Sequence, residues 1–215
     1  MISRLLEAVP FEVFDYQTLV DSLSDYRHPR DRITKLLRSG DVIRVKKGLY
    51  VFGPLHRRAP YSRELLANLI YGPSYISLEY ALSFYGLIPE LAVSVTSVTT
   101  GRTKKFMTPA GLFTFRTQPV KIYSHGMRIV SAGNGSGFLM ATMEKALCDQ
   151  VLASGNGVRS IRAMERWLFD DMRIDPDRFA ALSAEEISET ARCACSERLD
   201  LLLRLHTRIG GMGNA

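Results

Sequence analysis

The sequence predicts an α/β chain of the α+β kind: a small, mostly helical first unit, then a larger unit with a mainly antiparallel sheet and a helical C-terminus. Three observations predict it. Apolar residues recur at helical spacing three times before residue 40, and the alternating stretch VIRVKKGLYVFG follows over 42–53. β-Branched and aromatic runs then fill most of 93–141. Helical patterning returns from there to the end.

In the first unit, Ile2, Leu5, Leu6 and Val9 fall on one helical face. Asp15 can cap a second helix with Leu19, Val20 and Leu23 inward. Pro29 suits the first position of a third helix, where the missing N–H has no partner to lose. Ile33, Leu36 and Leu37 form its buried stripe, and Gly40 suits a left-handed cap. At 100° per residue the opposite face holds Asp31, Thr34, Lys35 and Arg38, with Arg32 on the flank. VIRVK and LYVFG then pair around Gly48, which can take the positive φ of a tight turn. Helix, helix, basic helix and basic hairpin is the order of a winged helix-turn-helix.

Charge supports that expectation. The whole chain has 28 Lys and Arg against 22 Asp and Glu, a mild +6. Residues 27–58 alone hold ten basic side chains and two acids, a local +8 that suits a polyanion. The third helix fits a major groove, with Thr34, Lys35 and Arg38 placed for base edges. Arg30, Arg44, Lys46 and Lys47 are placed for backbone phosphates, which supply most of the affinity. Arg57 and Arg58 fit an extension of that track or an ordinary linker equally well.

The boundaries follow composition: residues 1–54 form the first unit, the Pro-containing 55–61 a linker, 62–209 the second unit and 210–215 a flexible tail. Ser62 can cap SRELLANLIYG. Ser77 can cap a helix in YISLEYALSFYGLIPE, with Leu78, Ala81, Leu82 and Phe84 inward, Tyr80 and Tyr85 as packing edges and Gly86 closing it. Strands are expected at 93–100, at 112–117 with Phe113 and Phe115 on one side, in KIYSH and MRIV around Gly126, and in GFLMA. GRTKK reads as a turn with Arg102, Lys104 and Lys105 at its tip, either solvated or set for an acidic partner. Thr142 can cap the helix that carries Glu144, Lys145 and Asp149. Further helices are expected around 160–169, from Pro176, from a Ser183–Glu186 capping box and near 197–207.

Catalytic signals fail to converge. The four histidines are scattered, and none neighbours a Ser or Cys in a nucleophile motif. Cys193 and Cys195 lack the second pair that zinc needs, and AGNGSGF precedes an apolar strand where a phosphate loop precedes a helix. Glu144, Lys145 and Asp149 lack the acid–x–Lys order of metal-dependent nucleases. Glu144 is expected at a helix N-terminus and Lys145 in a surface pair. No cofactor or metal is expected. The odd cysteine count points to a reducing cytoplasm, no apolar run reaches the roughly 20 residues of a membrane span, and the N-terminus does not read as a signal peptide.

Four segments together resemble a known family: the winged helix with KKGLYVF, YISLEYALSFYGLIPE, VTSVTTGRTKKFMTPAGLFTF and MATMEKALCD, within residues 10–155. The chain resembles the AbiEi family of antitoxin-like transcriptional regulators, from AbiE-type abortive-infection and toxin–antitoxin systems. Met143 stands where that family usually has proline, in an A-[ST]-P-E-K-A-L pattern. The resemblance implies a cytoplasmic antitoxin that binds inverted repeats in its own promoter as an autorepressor. It also implies that the second unit counteracts a nucleotidyltransferase-like toxin. The alternatives are a stand-alone regulator with a sensing domain, or a nuclease-like enzyme.

Overall fold

The computed structural model describes residues 2–133 and 135–212, a mixed α/β arrangement with eleven α-helices and two sheets. The first unit runs α1 (Ile2–Ala8), β1 (Val13–Asp15), α2 (Tyr16–Asp21), α3 (Pro29–Ser39), β2 (Val42–Lys46) and β3 (Leu49–Phe52). Its local signals act as the residues predict. Asp15 accepts from the Thr18 N–H at 2.8 Å, Pro29 opens α3, Gly40 ends it at φ +76° and Gly48 turns the hairpin at φ +88°. Leu5, Leu19, Leu23, Leu36 and Phe52 are fully buried together. β1 is too short for alternation to announce. It pairs antiparallel with β3, so the first sheet has the order β1-β3-β2.

The second unit begins with α4 (Arg63–Ile70), β4 (Ser74–Ile76), α5 (Leu78–Phe84), β5 (Val95–Thr99), β6 (Lys104–Thr108) and β7 (Gly111–Thr117). It continues through α6 (Val120–Tyr123), β8 (Met127–Gly133), β9 (Ser136–Ala141) and α7 (Met143–Ser154). Then come α8 (Ile161–Arg166), a π-helical turn (Trp167–Asp171), α9 (Pro176–Ala180), α10 (Ala184–Ala194) and α11 (Glu197–Met212). The sheet order is β6-β7-β5-β4-β9-β8. Its outer and hairpin pairings are antiparallel, as expected, but β4–β9 and β5–β7 are parallel. Parallel partners need cover on both faces. Phe113, Phe115, Tyr75 and Ile76 are fully buried accordingly.

Four expected elements differ. KIYSH is not a strand: after Pro119 the chain makes the short helix α6, buried only at Ile122. Lys104 and Lys105 are not a turn tip: they open β6, which pairs with β7 from Lys104↔Phe115 to Thr108↔Gly111. The turn of that hairpin lies instead at Pro109–Ala110. Phe84 is about half exposed because α5 ends there. The expected tail at 210–215 is helical as far as Met212, and 213–215 lie outside the described residues.

The first sheet serves two cores. Val42, Tyr50 and Phe52 pack in the first unit, whereas Val45, Leu49 and Val51 join the larger core of the second. The segment expected as a linker is tied down. His56 Nε2 lies 2.7 Å from Asp41 Oδ1. The Arg58 guanidinium donates to the carbonyls of Leu6 and Val9 at the end of α1, at 3.2 and 2.6 Å, and to Glu12 Oε1 at 3.3 Å. Arg58 is therefore committed to a helix end, where cations favour the carbonyl dipoles, and Arg57 stacks 4.5 Å over the Tyr61 ring.

Candidate nucleic-acid interface

α3 buries Ile33 and Leu36 and turns the opposite side to solvent. Arg30, Thr34, Lys35 and Arg38 are all exposed. Thr34 Oγ1 donates to the Arg30 carbonyl at 3.0 Å, leaving its lone pairs free. Arg32 sits half-buried with its guanidinium 5.0 Å over the Tyr26 ring, a flank position held by cation–π attraction. Arg44 and Lys47 are exposed on the hairpin. Among the described residues, the side chains of Arg30, Lys35, Arg38, Arg44 and Lys47 make no ion pair or hydrogen bond. Three of these cations lie on α3, and the other two lie on β2 and on the turn that follows it.

Lys46 is the correction. Simple alternation puts it beside Arg44, on phosphates. The pairing register instead advances two residues on β2 for one on β3, from Arg44↔Tyr50 to Lys46↔Leu49. Such a bulge turns two successive side chains to one side. Val45 enters the second core, and Lys46 follows it. Its ammonium donates to the Ile70 carbonyl at the end of α4, at 2.5 Å, and lies 5.4 Å over the Phe106 ring. Lys46 is a strut between the two units.

The three basic residues of the second unit do not form one cluster. Lys104 lies 4.6 Å over the Tyr71 ring, on the face of β6 that carries Phe106. Lys105 alternates to the other face with Met107, and Arg102 is exposed before the strand begins.

The residues least visible in the sequence are the most buried. Lys145 and Asp149, one turn apart on α7, are each about 1% exposed and form an ion pair inside the protein. Lys145 is thus no surface pair. Asp149 Oδ1 also accepts from Gln118 Nε2 at 2.9 Å, while Oδ2 accepts from Ser77 Oγ at 2.7 Å and lies 2.9 Å from the Tyr75 hydroxyl. The Ser77 side chain makes no cap bond to α5: its hydroxyl is turned into the core, toward Asp149. Burial, and then the neighbouring Asp149 charge, push the Tyr75 phenol far above its ordinary value. Burial likewise raises the Cys148 thiol, which keeps it protonated and unreactive. Gly126, at φ +66°, lets the chain cross over Lys145, because a Cβ there would lie 2.7 Å from Lys145 Cβ. Glu144 accepts from the Ser183 N–H at 3.0 Å, filling the reciprocal half of the capping arrangement that the sequence assigns to Glu186.

A cleft of about 510 Å³ opens beside this cluster, walled by Leu78, Val98, Ile122 and Leu152 with Gln118 and Asp149 on its polar side. Leu78 holds φ +61°, a left-handed conformation that a leucine rarely adopts. With four donors on its two oxygens, Asp149 has little capacity left to bind a metal. Among the described residues, no group of three or more His, Cys, Asp or Glu could hold a metal ion, and Cys148, Cys193 and Cys195 are free. No helix there is long and apolar enough to cross a membrane. No protein-family model matches the chain, and no curated protein matches it.

Proposed function

We propose that the chain is a duplex-DNA-binding regulator whose first unit is a winged helix-turn-helix. The observation that carries this reading is the set of five exposed, unpartnered cations on α3 and the β2–β3 hairpin. An α-helix with side chains is about 10–12 Å across, and a B-DNA major groove is about 12 Å wide. α3 enters the groove with Thr34, Lys35 and Arg38 toward base edges. Arg30, Arg44 and Lys47 engage phosphates on either side, with Arg32 supporting the flank.

The likeness to the AbiEi family extends the reading. The regulator represses its own promoter at inverted repeats, acts in the cytoplasm and counteracts a nucleotidyltransferase-like toxin through its second unit. The saturated hydrogen bonding of Asp149 supports a binding role for that unit over a catalytic one. The cleft beside Gln118 favours one other reading, a stand-alone regulator whose second unit senses a small molecule.

The test is a gel-shift titration against the chain's own upstream DNA and a scrambled duplex, over a salt series. Selective binding with a log–log salt slope on the order of −3 or steeper fits three phosphate contacts. Equal, weak binding to both duplexes removes the groove from the reading. Co-expression with a neighbouring nucleotidyltransferase tests the second half. Growth rescue by the full chain, lost on deleting the second unit, is the expected result.

A further inference from the structure

The cleft of about 510 Å³ lies where an open sheet favours a ligand. β5 and β7 are parallel neighbours, and Val98, Arg116 and Gln118 line the cleft from their carboxyl ends. Leu78, Val98, Ile122 and Leu152 make its apolar wall. Leu78 is 2% exposed there at φ +61°, and left-handed strain of that kind clusters at ligand clamps. The polar side has two free donors. The hydroxyls are not among them: Thr117 Oγ1 donates to the Gly101 carbonyl at 2.7 Å, and Thr103 Oγ1 lies 3.1 Å from Thr117 Oγ1 and accepts from the Thr117 N–H at 3.2 Å. Gln118 is 8% exposed. Its Nε2 donates to Asp149 Oδ1 and its Oε1 faces Lys145 Nζ at 3.3 Å, which leaves its second amide hydrogen without an acceptor among the described residues. Arg116, exposed at the mouth, gives one N–H to the Ala153 carbonyl at 3.2 Å and keeps the others. The Asp149 charge is met by Lys145, and residues 91–143 contain no Asp or Glu, so Arg116 sets the sign of the field at the mouth.

We propose that the cleft binds a small apolar carboxylate, a one- or two-ring acid, with its body on the apolar wall and its carboxylate on Arg116 and the spare Gln118 amide hydrogen. The proposal rests on the second reading above, a unit that senses a small molecule, and deepens it by naming the class of ligand. Arg116 and Gln118 are two positions apart at the end of β7, so an extended chain turns both to one face. A guanidinium matches a planar carboxylate with two parallel N–H donors, and an apolar wall strengthens those bonds. A phosphate dianion fits less well, because one arginine and one amide hydrogen leave most of its oxygens bare beside the Asp149 carboxylate. A neutral ring forgoes Arg116, and a cation meets it as a like charge. The cleft is of the size that takes small ligands.

The experiment titrates the full chain with 2-naphthoate and with its neutral isostere 2-naphthamide, read by calorimetry and by the methyl NMR signals of Leu78, Val98, Ile122 and Leu152. 2-Naphthoate is expected to shift those methyls and to bind about tenfold or more tighter than the amide, the worth of one charge-assisted hydrogen bond. Arg116→Gln is expected to remove that preference and leave amide binding little changed, and Arg116→Lys to keep the preference in part. Leu152→Trp, which fills the cleft, should abolish binding of both compounds. Methyl signals away from the cleft verify that each variant is folded. Equal affinity for the two compounds, or a preference that survives Arg116→Gln, overturns the carboxylate assignment and leaves a sensing unit. Shifts centred on the exposed Leu91, Met107 and Ile129, or binding that Leu152→Trp spares, mean an adventitious additive only and overturn the site. No binding of either compound overturns the proposal and the sensing reading together. The gel-shift titration, run without either compound, decides the DNA reading separately, so the two failures are told apart.

Discussion

Asp149→Ala is the most severe single change the structure predicts. The carboxylate is about 1% exposed and receives Lys145, Gln118, Ser77 and Tyr75. Its removal leaves the buried Lys145 ammonium with Gln118 Oε1, at 3.3 Å, as its remaining acceptor. Breaking a buried ion pair from one side costs about 3–5 kcal/mol, and each donor left without an acceptor costs about 1–3 kcal/mol before relaxation. The change should therefore lie near the top of the range, about 4–5 kcal/mol. Lys145→Met leaves the carboxylate with three neutral donors and should cost less, about 3 kcal/mol. Because the two charges exist for each other, Lys145→Met combined with Asp149→Ala should fall short of the summed single effects by about 2 kcal/mol or more. Urea denaturation followed by the fluorescence of Trp167, the only tryptophan, measures all three. For a chain of this size, the Asp149→Ala loss is roughly 8–20 °C in Tm. A loss under about 1 kcal/mol, or additive single effects, would refute the argument from buried charge.

Lys46→Ala should lower stability by about 1–2 kcal/mol, through its bond to Ile70 and its contact with Phe106, and leave the salt slope of DNA binding unchanged. Lys47→Ala should do the reverse, flattening the slope by about 0.9 with no change in unfolding; a swap of these two outcomes contradicts the bulge-driven assignment. Arg38→Ala should cost on the order of 1–3 kcal/mol on the selected duplex and less on a scrambled one, and equal losses would make it a phosphate contact. The Ser39 hydroxyl, and then the His56 ring, hold the Asp41 carboxyl below its usual value of 3.8. Its stabilising contribution is therefore present above that value and lost as pH falls through the lower, folded one. Asp41→Asn should show a shallower loss of stability than wild type below about pH 4, and parallel curves would rule that contribution out.

Local signals were legible wherever one residue type has one physical use. Gly40 and Gly48 are at positive φ because the backbone there needs it. Asp15, Ser62, Thr142 and Ser183 accept the amide bonds of the first turns they cap. Ser77 has the same signature and departs from it, because its side chain is turned inward to a buried carboxylate, away from the amides of the first turn. β6 was hidden by its lysines, which discourage a strand assignment yet suit an exposed edge. KIYSH has the composition of a strand, but after Pro119 the amides of Ile122 and Tyr123 close on the Pro119 carbonyl and the segment turns as α6.

The sequence alone determined most of the helices, the caps at Asp15, Ser62, Thr142 and Ser183, the basic face of α3 and the lack of converging catalytic motifs, since these depend on neighbours within a few positions. The tertiary structure decided which charges are available. Lys46 and Lys47 are adjacent and chemically identical, yet a bulge two residues long sends one to the Ile70 carbonyl and leaves the other in water. Lys145 and Asp149 read as an ordinary helical pair until Tyr75, Ser77 and Gln118 arrive from 27 to 74 positions away. Burial and long-range hydrogen bonds are properties of the packed chain, and at those residues they outweigh every local preference.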